Sequence, residues 1–176
     1  RLRQLGVPTI IIDKRGRPGD QWRSRYTSLC LHDPVWYDHL PYLKFPENWP
    51  VFAPKDKIAD WLESYTKIME LNYWTNTEAT SARWDEGTRE WTVEVERDGQ
   101  PLVLRPKQLI LTTGMAVRPN VPAFLGADRV RGALPHSSDH PGPDTYARQK
   151  DRVAASYTKA FTILGDRWRQ RADDRK

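Results

Sequence analysis

The chain has 176 residues, 38% hydrophobic and 29% charged, with a formal net charge of +5 and a mean hydropathy of −0.77. That length builds one domain with a real core, or two small ones. A single cysteine, Cys30, excludes an internal disulfide framework, and the sequence holds no run of about 18 apolar residues, which excludes a membrane-spanning helix.

Residues 1–15 lack the apolar stretch of a signal peptide, so the sequence predicts a reducing, cytoplasmic setting. The positive charge is uneven. Residues 144–176 contain 9 Lys and Arg against 5 Asp and Glu, whereas residues 1–143 are nearly balanced. A nucleic-acid binder more often spreads its charge over a folded face, which argues against nucleic acid as a partner. The same contrast divides the chain into a domain at 1–143 and a basic tail at 144–176.

Leu2 and Leu5 lie three apart and Gly6 follows, the pattern of a short helix stopped by glycine. Residues 9–12, Thr-Ile-Ile-Ile, are an unbroken β-branched run. Such a run predicts a strand buried on both faces, as in a parallel sheet. It ends on Asp13. In doubly wound α/β folds ligands sit beyond the carboxyl ends of the strands, and an acid there can take the hydroxyls of a nucleotide ribose. A core strand ending on an ordinary solvated Asp fits the same residues. The glycine-rich phosphate loop that goes with a ribose acid lies about 20 residues before it. Counting back from Asp13 passes Arg1, so the sequence reads as a fragment of a larger product if the ribose reading holds.

Residues 14–21 are a Gly, Pro, Arg and Asp loop. Residues 22–50 are dense in Trp, Tyr, His and Pro and follow neither a helical nor a strand period. A loop of that length is usually functional or disordered, and its aromatic content speaks against disorder. It could wall a flat aromatic ligand, or simply pack its rings on itself. Pro54 then opens a helix. Ile58, Trp61, Leu62, Tyr65, Ile68 and Met69 form one apolar stripe, which predicts core packing up to about Leu71. Residues 73–85 read as a strand and a turn. Trp91, Val93 and Val95 alternate with polar residues, Asp98 and Gly99 make a hairpin turn, and residues 102–104 return. Residues 108–113 predict a second buried parallel strand, ending in Thr113 and Gly114, where glycine lets a backbone pass close to a ligand. Residues 115–143 are a Pro- and Gly-rich link. In the tail, Val153, Tyr157, Phe161, Leu164 and Trp168 predict a helix with one apolar stripe.

The order of these pieces resembles one family. A strand ending on Asp13, then Gly19-Asp20-Gln21-Trp22, Arg25-Tyr26 and Leu31-His32-Asp33-Pro34, a hairpin, Leu111-Thr112-Thr113-Gly114 and Pro119-Asn120-Val121-Pro122 are similar to class B flavoprotein monooxygenases. The resemblance covers residues 1–143. The family fingerprint, an aromatic residue followed by Gly and His, would be carried by Val130, Gly132 and His136, with Val130 in place of the aromatic residue. The resemblance implies a partial FAD/NAD(P)-binding, Rossmann-like three-layer α/β fold with an inserted antiparallel β-hairpin, followed by the C-terminal helix. It implies FAD and NADPH as cofactors. Asp13 would hold the FAD ribose, and Lys14 would lie near the adenine. Gln21, Trp22, His32 and Asp33 would line the flavin site, and Thr113 and Gly114 would pass close to the FAD. The reaction implied is NADPH reduction of FAD, then oxygen transfer from O2 to a nucleophilic nitrogen or sulfur, or to a carbonyl of a small-molecule substrate. Both glycine-rich nucleotide loops are missing from the sequence shown, so this chain alone is expected to be inactive.

His136 and His140 are four apart but lie among Ser, Pro and Gly, so no metal site is expected. A non-catalytic remnant or interaction module of the same fold is the alternative function. Self-association through an exposed sheet edge or the C-terminal helix fits either reading.

Overall fold

The structure, a computed structural model, describes residues 1–114 and 119–121, together with Arg129, His136 and Asp139. Arg3–Leu5 is one 3-10 turn, and Gly6 closes it at φ 69°, as the Leu-Leu-Gly pattern suggests. Strand β1 is Ile11–Ile12. It pairs in parallel with β2, Tyr73–Trp74, with Ile11 opposite Tyr73 and Ile12 opposite Trp74. The parallel pairing is present, but burial on both faces is not, since Ile11 is 39% exposed. Full burial needs a strand on each side and a layer over each face. Among the described residues β1 has one paired strand.

The second expected parallel strand is corrected more severely. Residues 108–113 form no strand, and Ile110 and Leu111 are 66% and 79% exposed. An apolar β-branched run becomes a strand when a ladder partner meets it. Among the described residues none does.

The expected hairpin is a three-stranded antiparallel sheet: β3 (Thr77–Asp85), β4 (Glu90–Arg97) and β5 (Gln100–Leu104), in that order. The alternation on β4 holds, with Val93 and Val95 buried and Glu94 and Glu96 outside. Asp98 and Gly99, at φ 49° and 77°, make the β4–β5 turn. Positive φ at both central residues gives a turn whose twist matches the strands. β3 carries only one buried side chain, Thr77, and its ladder shifts register between Ala79 and Ser81. Residues 73–85, expected as a strand and a turn, therefore hold two strands, β2 and β3, of which β3 has no clear period.

Helix α3 is Lys55–Ile68, with Pro54 as its N-cap rather than its first residue. Ile58, Ala59 and Trp61 are buried, and Leu62 and Tyr65 pack beside them, but Ile68 is 62% exposed. The helix stops before the end of its apolar stripe. Glu70 takes φ 47°, and the amides of Glu70 and Leu71 turn back to the carbonyls of Lys67 and Thr66. That is a Schellman ending with Glu where Gly is usual. Arg3 Nη1 donates to the carbonyls of Met69 and Glu70 at 3.1 and 2.9 Å, so the first turn of the chain caps this helix.

Part of the aromatic segment 22–50 packs against α3, through Trp22, Leu31, Val35, Leu43, Phe45 and Trp49. Phe45 stacks on Trp49 at 5.0 Å and meets Trp61 edge-on at 4.6 Å, and Trp61 contacts Tyr65 at 5.1 Å. Two short helices interrupt the segment, α1 (Asp20–Arg23) and α2 (Val35–Asp38). Gly19, at φ 88°, sits directly on α3: a Cβ there would overlap the carbonyl of Ala59. Arg23, its side chain 16% exposed, bolts the contact with ion pairs to Asp20 (3.0 Å), Asp60 (2.7 Å) and Glu63 (2.9 Å). Buried Lys55 donates to the Arg23 carbonyl at 2.9 Å and pairs with Asp56 at 2.7 Å. Burial alone would raise the Asp20 carboxyl, but hydrogen bonds from Arg23 and Arg17 outweigh it and hold it low. The described residues contain no helix long and apolar enough to cross a membrane. The tail at 144–176, with its expected helix, lies outside the described residues.

Gly19→Ala should cost about 2–4 kcal/mol, because steric overlap adds to the strain of a positive φ. Gly99→Ala should cost about 1 kcal/mol, since Gly99 has a positive φ but no atom near its would-be Cβ. Urea denaturation midpoints check this, and equal losses at the two sites would contradict the close packing of Gly19.

Candidate functional site

The chain leaves β1 at Asp13, and four bonds fix that residue. Its amide donates to the Trp74 carbonyl (2.9 Å), continuing the parallel ladder, and its carbonyl accepts from the Thr77 amide (2.9 Å). Its carboxylate accepts from the Arg15 amide on Oδ1 (2.9 Å) and from the Tyr73 hydroxyl on Oδ2 (2.7 Å). The first of these side-chain bonds closes an Asx turn, which bends the chain away from the sheet. The turn is held further by the Asn76 amide on the Arg15 carbonyl at 2.9 Å. Asn76, at φ 49°, also donates its side-chain amide to Asp98 at 3.0 Å, so the β4–β5 turn braces the same corner.

An ionised carboxylate offers about four acceptor positions on its two oxygens. Among the described residues Asp13 has one donor on each oxygen, so each keeps capacity for a second. An acid placed past the carboxyl end of a parallel strand, with one free position per oxygen, suits a vicinal diol such as a ribose.

The other predicted site residues distribute around this corner unevenly. Lys14 is exposed and pairs with Glu78 at 3.2 Å. Gln21 is exposed on α1 and accepts from Arg15 Nε at 3.1 Å, which ties the start of α1 to the Asp13 turn. Trp22 is half-buried and packs against the cluster of Val35, Phe45, Ala53, Ile58 and Trp61. His32 and Asp33 are both exposed and lie 3.5 Å apart. Thr113 and Gly114 are exposed, and Gly114 has φ 86° with nothing within 4 Å of a would-be Cβ. Among the described residues no hydrogen bond or ion pair joins His32, Asp33, Thr113 or Gly114 to the Asp13 group. His136 is half-buried, and its carbonyl accepts from the Asp139 amide at 2.9 Å. Gly132 lies outside the described residues.

Sequence reasoning missed Tyr73, Arg15 and Asn76. Tyr73 meets Asp13 only through the parallel pairing of segments about 60 residues apart, and no local pattern announces that register. For Asn76 the available signal was the Thr-Asn-Thr stretch at 75–77, since Asn tolerates the positive φ it adopts there.

Comparisons with known proteins bear on the family and the fold. No family model matches the chain. The indole-3-pyruvate monooxygenase YUCCA1 of Oryza sativa subsp. japonica is 30% identical over 166 residues, covering 94% of this chain and 40% of the relative. Among solved structures, a mutant flavin monooxygenase from Stenotrophomonas maltophilia superposes with a TM-score of 0.69 at 21% identity. It covers 79% of this chain and 40% of its own. A crystal structure of OTEMO in complex with FAD and NADP gives a TM-score of 0.61 at 21% identity, over 93% of this chain and 33% of its own. This chain therefore spans about 40% of the length of the curated relatives it matches.

Tyr73 supplies a direct check on the corner. Burial, and then the bond to the Asp13 carboxylate, raise its phenol pKa well above the ordinary value near 10. A raised pKa means the fold favours the protonated phenol, so its contribution is full below pH about 10 and is lost as pH rises through the folded value. Alkaline titration at 295 nm should show one fewer tyrosine ionising in the ordinary range while the protein stays folded. Tyr73→Phe should leave that ordinary-range amplitude unchanged, and a fall of one tyrosine would contradict the contact.

Proposed function

Because this chain belongs to the class B flavin monooxygenases, we propose that its Asp13 corner holds the adenosine ribose of FAD. On this reading the protein that carries it is an FAD- and NADPH-dependent monooxygenase acting on a small molecule. It oxygenates a nucleophilic nitrogen or sulfur, or a carbonyl. FAD supplies the redox and oxygen-transfer chemistry once bound.

The observation that carries the reading is the Asp13 carboxylate at the end of β1, held on both oxygens and with acceptor capacity left on both. The chemistry of that donor set fits a ribose diol. The residues of the chain act by binding and orienting. Asp13 takes the two hydroxyls, and the Asx turn bends the backbone away from the sheet. Lys14, Gln21 and Trp22 flank the nucleotide, and His32, Asp33, Thr113 and Gly114 approach the flavin end, with Gly132 and His136 as the fingerprint. Trp22 is anchored by packing against the core cluster.

A second reading has its own support. Ile110 and Leu111 are 66% and 79% exposed, and β1 is paired on one side among the described residues, so this face also suits self-association or an interaction role. Flavin separates the two readings. The isolated chain should bind added FAD weakly, should lose about tenfold in affinity on Asp13→Asn, and should consume no NADPH by itself. Titration of FAD fluorescence measures the first two. A chain that never takes up flavin, or one whose affinity ignores Asp13→Asn, favours the interaction role, and NADPH consumption by the chain alone would contradict its expected inactivity.

A further inference from the structure

We propose that Tyr73 is the positioning residue that makes the Asp13 carboxylate selective for an intact ribose diol. The inference rests on the reading of Asp13 as the ribose acid and adds to it a residue and a function.

A carboxylate at the end of a short side chain turns about χ2 through a broad, shallow profile. A bidentate grip on two neighbouring hydroxyls requires both oxygens in place at once. The Arg15 amide fixes Oδ1, but one bond to one oxygen still lets the other swing. The Tyr73 hydroxyl, 2.7 Å from Oδ2, closes the second degree of freedom. It can do so because β2 runs parallel to β1, with Tyr73 opposite Ile11 and Trp74 opposite Ile12. The phenol stays protonated across the physiological range, so it remains a donor, and it leaves each carboxylate oxygen one acceptor position. Two donors from the protein plus two from a diol fill the capacity of the carboxylate. A ligand with one hydroxyl, or none, leaves part of that capacity unfilled near a half-buried group. Unmet capacity of this kind is where hydrogen-bonded sites gain their discrimination.

A purely architectural role for Tyr73 predicts something different. Loss of the hydroxyl would then loosen the corner and weaken every adenine nucleotide alike. Selectivity for the diol is the quantity that separates the two roles.

The test uses the 176-residue chain with ADP, 2′-deoxy-ADP and 2′,3′-dideoxy-ADP, in the wild type, Tyr73→Phe and Asp13→Asn. The wild type should prefer ADP over the dideoxy nucleotide by about tenfold or more, the loss of hydrogen bonds to a charged group. Tyr73→Phe should reduce that ratio to about threefold or less, mainly by weakening ADP. Equal weakening of all three nucleotides, with the ratio kept, overturns the inference while leaving the ribose reading of Asp13 intact. A wild type without a preference, or a preference that Asp13→Asn leaves untouched, overturns the ribose reading and this inference with it. A second measurement needs no variant. The Tyr73 hydroxyl proton, bonded to a carboxylate, should give a downfield resonance that moves with ADP and stays still with dideoxy-ADP. The same movement with both nucleotides contradicts the proposal.

Discussion

Three parts of the molecule meet at one residue. The peptide of Asp13 carries the last ladder bond of the parallel pair and receives the first bond from the antiparallel sheet, through Trp74 and Thr77. Its side chain, through Arg15 and Tyr73, sets the turn that leads to α1. A half-buried polar backbone must find its partners somewhere, and here they come from β2 and β3, at Trp74 and Thr77. Two further bonds, from Arg15 and Tyr73, hold the carboxylate at the same corner. Architecture and candidate site are one constraint seen from two sides.

The second anchor is the seat of Gly19 on α3. It requires a residue without a side chain, and the neighbouring Arg23 then finds three carboxylates within reach, on Asp20, Asp60 and Glu63. The hydrogen bond from Lys67, with a smaller one from Arg23, holds the Glu63 carboxyl low against the upward pull of burial. Because Gln21 bonds Arg15 while Arg23 bonds α3, the four-residue α1 couples the Asp13 corner to the aromatic core. Phe45, Trp49 and Trp61 spend their faces on one another. Part of the aromatic segment is thus core, with Phe45 buried and Trp22 and Trp49 half-buried beside it, while Trp36, Tyr37 and Tyr42 stay exposed.

What could be read from the chain depended on how local its cause was. The turn at Asp98 and Gly99, the stop at Gly6, the alternation of Val93 and Val95 and the stripe of α3 are set by neighbours within a few residues, and all are present. The α/β order and the family resemblance were legible because motif order survives where single motifs are weak. β3 was only partly legible, since one buried residue in nine gives no period. The end of α3 was misplaced because an αL Glu70, not a glycine, terminates it. Residues 108–113 had the composition of a strand but lack a ladder partner among the described residues, and composition cannot supply one. Tyr73 was invisible for the same reason that makes it useful: its partner is far away in sequence.

An NMR titration of the labelled chain with AMP goes straight to the claim that the Asp13 corner receives a ribose, and it tolerates weak binding. The account predicts that the largest amide shifts fall on residues 13–16 and 73–78. Shifts centred on His32 and Asp33, or spread evenly over the surface with none at Asp13, would contradict it.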